Sequence, residues 1–411
     1  MKKKQYTFKG GYRFRRIEGC PRDMLTTQDI PNEVLIPLKQ GFGMGVVSLV
    51  KEGDIVVAGQ IIGRDDSNVS SPVHASVSGV VKEIKLSNYL GHETQIVRIS
   101  TRKDKADDCK KVKGFTSDWA KLKNEEIESI LYLAGVTSLD KSGIPTKFKS
   151  SIITPKDVRS IIVPAIGFDV YNLSQELLLG EKRVLDYIEG LRILHAFMPQ
   201  ANIYLALSKT DMQINEKLSE AVSQYGFINI ISLEPKYPQG YDEMLVATVL
   251  GEKFPFGYYA ANLGVIVLNA QTILSVYEAV VKGKPLIERT IAICGPGFND
   301  TPHLKVRIGT PIADILKSYL RTDVSSRIVL ENTLVGDKLT DLSLPVTKAT
   351  SKIIALPENN KREFFSFLRL GVKRDAYSNT FASSVFPFCD KTLDTNIHGE
   401  LRPCISCNYC E

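Results

Sequence analysis

The chain has 411 residues, of which 43% are hydrophobic and 24% charged, with a formal net charge of +6 and seven cysteines. That length exceeds one ordinary core and predicts two to four domains, with the composition of a folded protein. The mild basic balance does not call for nucleic acid, the opening "MKKKQ" lacks the apolar stretch of a secretory signal, and no run of about 18 apolar residues is present to cross a membrane.

Residues 1–30 form an N-terminal segment carrying "TFKGGYRF". Residues 31–101 read as short strands punctuated by glycine. Val50, Ile55, Val57 and Ile61, separated by Gly53-Asp54 and Gly59-Gln60, suit strands joined by tight turns in which Gly53 and Gly59 supply positive φ. The half Val50 to Gln60 (V-x-x-G-D-x-V-x-x-G-Q) and the half Pro72 to Val81 (P-x6-G-x-V) resemble the biotinyl/lipoyl-like barrel-sandwich hybrid. Carrier members of that family hold a modified lysine on the hairpin between the halves. Here the connecting "IGRDDSNVSSPV" contains no lysine, so a structural barrel is expected.

Residues 102–125 are charge-rich and read as a linker in which Cys109 is an exposed, unpaired thiol. From 126 to 285 helical and strand patterns alternate. "NEEIESILYLAG" is a helix ending on Gly135, "SIIVPAIG", "ANIYLALS", "INIISLEP" and "LGVIVLNA" are strands, and "AQTILSVYEAVVKG" is a helix capped by Gly283. "SQELLLGEKRVLDYIEGLRILHAF" is one amphipathic helix or two joined at Gly180. Such alternation predicts an α/β layer with a mostly parallel sheet. Residues 286–350 read as a compact α+β module, in which "GPGFND" is a turn and Cys294 ends a buried strand. Residues 351–411 form a helical segment that closes on cysteines.

Cys404, Cys407 and Cys410 form a C-x2-C-x2-C run, which wraps three corners of a [4Fe–4S] cube. They are the candidate metal ligands. A fourth cysteine in this pattern would fall at position 414, so a truncated product is expected; within the chain the fourth ligand could be Cys389, Cys294 or Cys20. His398 could hydrogen-bond near such a cluster, and His195 is read as structural. No Ser-His-Asp or metal-hydrolase spacing is present, and no catalytic base is assigned.

Several stretches, in order, resemble the RnfC family of Rnf electron-transport complexes and its relative, the NqrA family of the Na+-translocating NADH:quinone reductase. "FKGG", the barrel halves, "KYPQG" (236–240), "YEAVVKGKPLIERTI" (277–291) and "VRIGTPIADIL" (306–316) look like RnfC; "KREFFSFLRLG" (361–371) and "DTNIHGELRPC" (394–404) look more like NqrA. The resemblance implies a barrel-sandwich hybrid (31–101), an α/β domain like the flavin-binding part of respiratory NADH dehydrogenases (126–285), a β-grasp SLBB module (286–350) and a truncated, ferredoxin-like helical tail (351–411).

Flavin-binding relatives carry a G-L-G-G-A-G-F-P-T loop. The matching stretch here is "SLDKSGIPT" (138–146), in which Gly143, Pro145 and Thr146 fit, whereas Ser138, Asp140 and Lys141 replace glycines. The family's acidic N-G-A-E-C-E-P-Y stretch corresponds to "PAIGFDVY" (164–171), with Gly167 and Asp169 at the glutamate positions. Gly143, Pro145, Thr146 and Asp169 are therefore the candidate cofactor residues of a degenerate flavin/NADH site, expected to hold neither FMN nor NADH. The resemblance implies a peripheral electron-transfer or scaffold protein on the cytoplasmic face of a membrane, closest to NqrA, with RnfC as the alternative and a stand-alone interaction module as a third reading. Its partners would be membrane subunits of a sodium-transporting redox complex. The helix stripe Val184, Leu185, Ile188, Leu191 and Leu194 is read as core, or as lining a groove for a quinone.

Overall fold

The computed structural model of the chain describes residues 7–358, except 9, 15–16, 42–44, 66–69, 106–107, 138–157, 181–182, 211 and 254–257. The strands are β1 (Leu25–Thr27), β2 (Glu33–Pro37), β3 (Val47–Ser48), β4 (Ile55–Val56), β5 (Ile61–Arg64), β6 (Val73–His74), β7 (Gly79–Tyr89), β8 (His92–Thr101), β9 (Ser160–Ala165), β10 (Asn202–Ser208), β11 (Ile228–Leu233), β12 (Val265–Val267), β13 (Glu288–Cys294), β14 (His303–Arg307), β15 (Ser326–Leu330), β16 (Asp337–Lys338) and β17 (Lys352–Pro357).

The first unit packs a sheet of order β2-β8-β7-β4 against a smaller one of order β3-β5-β6. Period-two alternation sends Val34, Ile36, Val97 and Ile99 inward, where they meet Val46, Val56, Ile62, Val73 and Val81 in one core. Gly53 and Gly59 adopt φ of +89° and +80°, as their turns require. Gly59 also lets the following segment approach, since a Cβ there would stand 2.4 Å from the Lys110 carbonyl oxygen. A bridge between Ala58 and Cys109 fastens that segment to the barrel, and Cys109 is exposed.

The second unit is a four-stranded parallel sheet of order β11-β10-β9-β12. Both faces are covered, as its continuous apolar strands demand. Ile161, Val163 and Ala165 point into one core with the helices Asn124–Leu133, Arg183–Phe197 and Ala270–Lys282. Ile162 and Ile166 point into another with the helix Asp242–Leu250. The chain breaks at Gly180 between the helix Gln175–Leu179 and the helix Arg183–Phe197. Of the amphipathic stripe, Ile188, Leu191 and Leu194 are buried in the core, while Leu185 is exposed. His195 stacks on Phe227 with ring centroids 3.8 Å apart, a structural role.

The third unit is a mixed sheet of order β1-β14-β13-β17-β15-β16. Along β13, Ile291 and Ile293 face a core closed by the helix Ile312–Tyr319, whereas Ala292 and Cys294 face Tyr171 of the parallel unit. Cys294 is fully buried, and burial pushes its thiol far above the ordinary range, so it is inert as a nucleophile. "GPGFND" forms the turn after β13. Among the described residues no helix is long and apolar enough to cross a membrane.

Candidate functional site

In an open parallel sheet, ligands settle outside the carboxyl ends of the strands where the chain order reverses. Here the chain runs from β9 to β10 and β11 on one side, then returns to place β12 on the other. The reversal lies between β9 and β12. Its rim is built from the loops after β9 (166–172) and β11 (234–241) and from Asn269 after β12. Asn269 caps the helix Ala270–Lys282, accepting from the Thr272 N–H at 2.9 Å.

The loop after β9 is closed on itself. Asn172 accepts from the Asp169 N–H at 3.1 Å and donates to the Asp169 carbonyl at 2.7 Å. Gly167 has no space for a side chain, since a Cβ would stand 2.4 Å from Asn172 Cγ. The Asp169 carboxylate accepts from Lys352 Nζ at 2.8 Å and from Asn332 Nδ2 at 2.9 Å. Lys352 also donates to the Tyr171 carbonyl at 3.1 Å. Burial opposes the Lys352 charge, but Asp169 and then Glu331 outweigh it and hold the ammonium above its ordinary range. Asp169 is thus engaged in joining the parallel unit to the mixed sheet.

The loop after β11 carries "KYPQG" and is clasped by Phe8 and residues 10–14. Lys236 Nζ donates to the Phe8 and Gly10 carbonyls at 2.7 and 3.1 Å. Tyr12 and Tyr237 exchange two backbone hydrogen bonds of 2.8 Å each, Phe14 packs edge-on against Tyr237, and Arg13 pairs with Glu234 at 2.7 Å. Gly240 lies under Phe168 of the β9 loop; a Cβ would stand 3.1 Å from its ring. Between these contacts Gln239 is 0% exposed, and neither its Oε1 nor its Nε2 has a partner. Leaving a buried polar atom unpaired costs about 1–3 kcal/mol, so such a residue needs a reason.

The sequence-derived candidates distribute unevenly. Asp169 lies on this rim, in the joint just described. Gly143, Pro145, Thr146, Cys404, Cys407 and Cys410 lie outside the described residues, as does the helical, ferredoxin-like tail. Among the described residues no group of three or more metal-ligating side chains forms a metal site. Sequence reasoning singled out "KYPQG" for its likeness alone and passed over Gln239. The available signal was an amide between apolar, aromatic and glycine residues.

Residues 6–105 match the RnfC barrel sandwich hybrid domain family, and residues 132–278 match the Nuo51 FMN-binding domain family. The subunit designated C in the Na(+)-translocating ferredoxin:NAD(+) oxidoreductase complex of Acetobacterium woodii is 26% identical over 366 residues, 88% of this chain and 82% of that protein. Its counterpart in the ion-translocating oxidoreductase complex of Haemophilus influenzae is 27% identical over 356 residues, 86% of this chain but 43% of that protein. The chain thus spans under half the length of that relative. A chain of an NAD+-reducing [NiFe]-hydrogenase aligns with a TM-score of 0.46 and 15% identity over 57% of this chain and 47% of its own.

Two expectations are corrected. The first denied FMN because Ser138, Asp140 and Lys141 replace glycines in one loop and Gly167 replaces a glutamate in another. The match of residues 132–278 to an FMN-binding domain overturns it. Two loops were weighed, whereas ligands of open parallel sheets settle along the carboxyl ends of several strands. The second placed the chain nearest NqrA of the quinone reductase. The relatives above favour RnfC, and the stretches that pointed to NqrA, 361–371 and 394–404, lie outside the described residues. With a match to the RnfC barrel sandwich hybrid domain followed by one to the Nuo51 FMN-binding domain, the chain is similar, over most of its length, to the subunits designated C of ion-translocating oxidoreductase complexes.

Proposed function

We propose that the chain is a peripheral electron-transfer subunit of a membrane ion-translocating oxidoreductase complex, in the position of RnfC, and that it holds FMN at the carboxyl edge of its parallel sheet. The observation that carries this reading is the FMN-binding-domain match over residues 132–278 on a fold whose strand order reverses between β9 and β12. Two features of the rim bear on it. Gly167 and Gly240 let the loops after β9 and β11 pack tightly on Asn172 and Phe168, which fixes the shape of the edge, and the buried Gln239 amide beside them is unpaired. FMN supplies two-electron chemistry when bound; the chain supplies position, exclusion of water and hydrogen bonds. Gly143, followed by the loop-matching Pro145 and Thr146, would let backbone approach the cofactor, while Asp169 would set the loop beside it.

In the same reading the mixed sheet with its helix Ile312–Tyr319 is a β-grasp SLBB module, and Cys404, Cys407 and Cys410 ligate a [4Fe–4S] cluster whose fourth ligand comes from elsewhere. The partners are the membrane proteins of the complex, on whose surface this chain sits. The test is the purified chain itself. Stoichiometric FMN released on denaturation supports the reading; no flavin retained, and none bound on addition, sinks it. Anaerobic iron and sulfide analysis of the parent and of Cys407→Ala tests the cluster, with loss of iron in the variant expected and an iron-free parent overturning it. Co-purification with the membrane proteins tests the assembly.

A further inference from the structure

Residues 102–125 read as a linker, but residues 109–116 lie fixed in a seam. The Lys110 N–H donates to the Ala58 carbonyl of the barrel at 2.7 Å, the Val112 N–H to the Gly283 carbonyl at 2.8 Å and the Thr116 N–H to the Val280 carbonyl at 2.9 Å. Val112 is buried, while Lys110, Lys111 and Lys113 are exposed. Among the described residues these three lysines pair with no carboxylate. The ground beside them is basic as well. Lys284, Lys305 and Arg307 converge on Glu288 at 2.7, 3.0 and 3.3 Å, and Lys284 also meets Glu278 at 3.3 Å. Burial lifts the Cys109 thiol above its ordinary range, while Arg307, Lys284 and Lys111 pull it down against Glu288, so these charges stand around it. Lys282, next along, is matched by Asp186 at 2.9 Å and adds nothing to the excess. Six basic side chains thus share one surface with Asp108, Glu278 and Glu288, an excess of three positive charges in a chain whose net charge is +6. Phe115 is exposed among them, its ring laid on Gly283 and 4.9 Å from Lys111 Nζ.

We propose that this face docks on the anionic headgroups of a lipid bilayer, an inference that rests on the membrane-peripheral reading above. Three observations choose lipid over an acidic protein. The charges are mostly lysine. An ammonium on a flexible stem follows a fluid layer of headgroups, whereas the arginine fork suits a carboxylate held in place. The surface is also nearly flat. The hollows among Glu278, Lys284 and Glu288 hold about 50 and 20 Å³, too little for the anchoring side chains by which a protein partner is gripped. The exposed ring of Phe115 among lysines suits the boundary between headgroups and acyl chains, where an aromatic body is buried and the ammonium groups stay in water. The backbone bonds of the seam give the charges a fixed arrangement, so the barrel, the parallel unit and β14 present them together.

The experiment floats the purified full chain with vesicles of phosphatidylcholine alone and of phosphatidylcholine mixed with phosphatidylglycerol. We expect binding to the anionic vesicles only, released as salt screens the surface. Lys110→Glu, Lys111→Glu and Lys113→Glu together should lower the partition coefficient about tenfold or more. Lys217→Glu, Lys317→Glu and Lys338→Glu make the same change in net charge on other elements and should lower it about threefold at most. Equal losses in the two triple variants overturn the assignment, as does a parent that ignores anionic vesicles or binds neutral ones equally well. Where the first triple variant fails to fold, glutamine replaces glutamate in both sets and the same comparison decides. A first triple variant that binds vesicles like the parent but no longer co-purifies with the membrane proteins gives the surface to an acidic partner and overturns the lipid docking. Co-purification and FMN content of the parent are measured apart from vesicle binding, so failure here leaves the subunit reading standing and the two failures are distinguishable.

Discussion

Lys348 and Lys352 stand four residues apart, both buried, and each ties units of the molecule together by opposite physics. Lys352 meets a carboxylate: its Nζ donates to Asp169 at 2.8 Å, and the ammonium is held charged. Lys348 meets neutral oxygens only, donating to Ser71 Oγ at 3.3 Å and to the Pro72 and Gly135 carbonyls at 3.1 and 2.9 Å. Burial alone pushes its ammonium down to about 7. The barrel, the parallel unit and the mixed sheet converge on that one nitrogen. His74 lies beside it, its Nε2 bonded to the Leu133 carbonyl at 2.9 Å, and burial followed by the Lys348 charge pushes it down to about 3. A paired charge gives a joint that is insensitive to pH near neutrality. A charge solvated by carbonyls gives one that responds to pH.

The largest effect should come from breaking the paired joint. Asp169→Leu strands the Lys352 ammonium and is expected to cost about 3–5 kcal/mol in urea unfolding, whereas Lys352→Met with Asp169→Leu recovers most of it. If the double variant is as damaged as the single, the charge pair is not what that joint depends on. Next comes the acid limb. His74 is neutral in the fold, with a pKa below its unfolded value of 6.5, so the unfolded chain binds more protons as pH falls toward about 3. This group should remove about 1.4 kcal/mol of stability per pH unit through that window, and His74→Gln should flatten the slope.

The alkaline limb has the same sign for a different group. Lys348 is also depressed, from 10.5 to about 7, so the unfolded chain carries the extra proton between those values. Stability should therefore rise with pH from about 7 toward 10.5, by up to about 1.4 kcal/mol per unit from this group. Lys348→Met should lose that rise, and an unchanged slope would show that water reaches the nitrogen. The smallest effect calibrates the others: Asn269→Ala removes a neutral helix cap and should cost about 1 kcal/mol, independent of pH near neutrality.

What could be read from the sequence was local. Gly53 and Gly59 were legible because a strand-turn pattern needs positive φ there, and Gly283 because a helix ended on it; its φ is +68°. The alternating pattern revealed a parallel layer because each strand and helix carries its own period. The rest depended on distance. Asp169 was noticed as a surviving acid, yet its partner Lys352 lies 183 residues on, and no period links them. Strand β1 adds to the mixed sheet through Leu25–Thr27 pairing with His303–Lys305, which three residues of sequence do not announce. Gln239 looked like an ordinary loop amide because exposure is a property of the assembled molecule.

The clasp of Phe8 and residues 10–14 on the 234–241 loop has a consequence for the order of assembly. Phe8 meets Lys236 across 228 positions, and Cys20 meets Thr301 across 281. On the ribosome these residues emerge early and must wait, unpaired, until the parallel layer and then β14 have been made. The barrel between them can close first, from its own neighbouring strands. The 234–241 loop is therefore clasped late, by residues synthesised early.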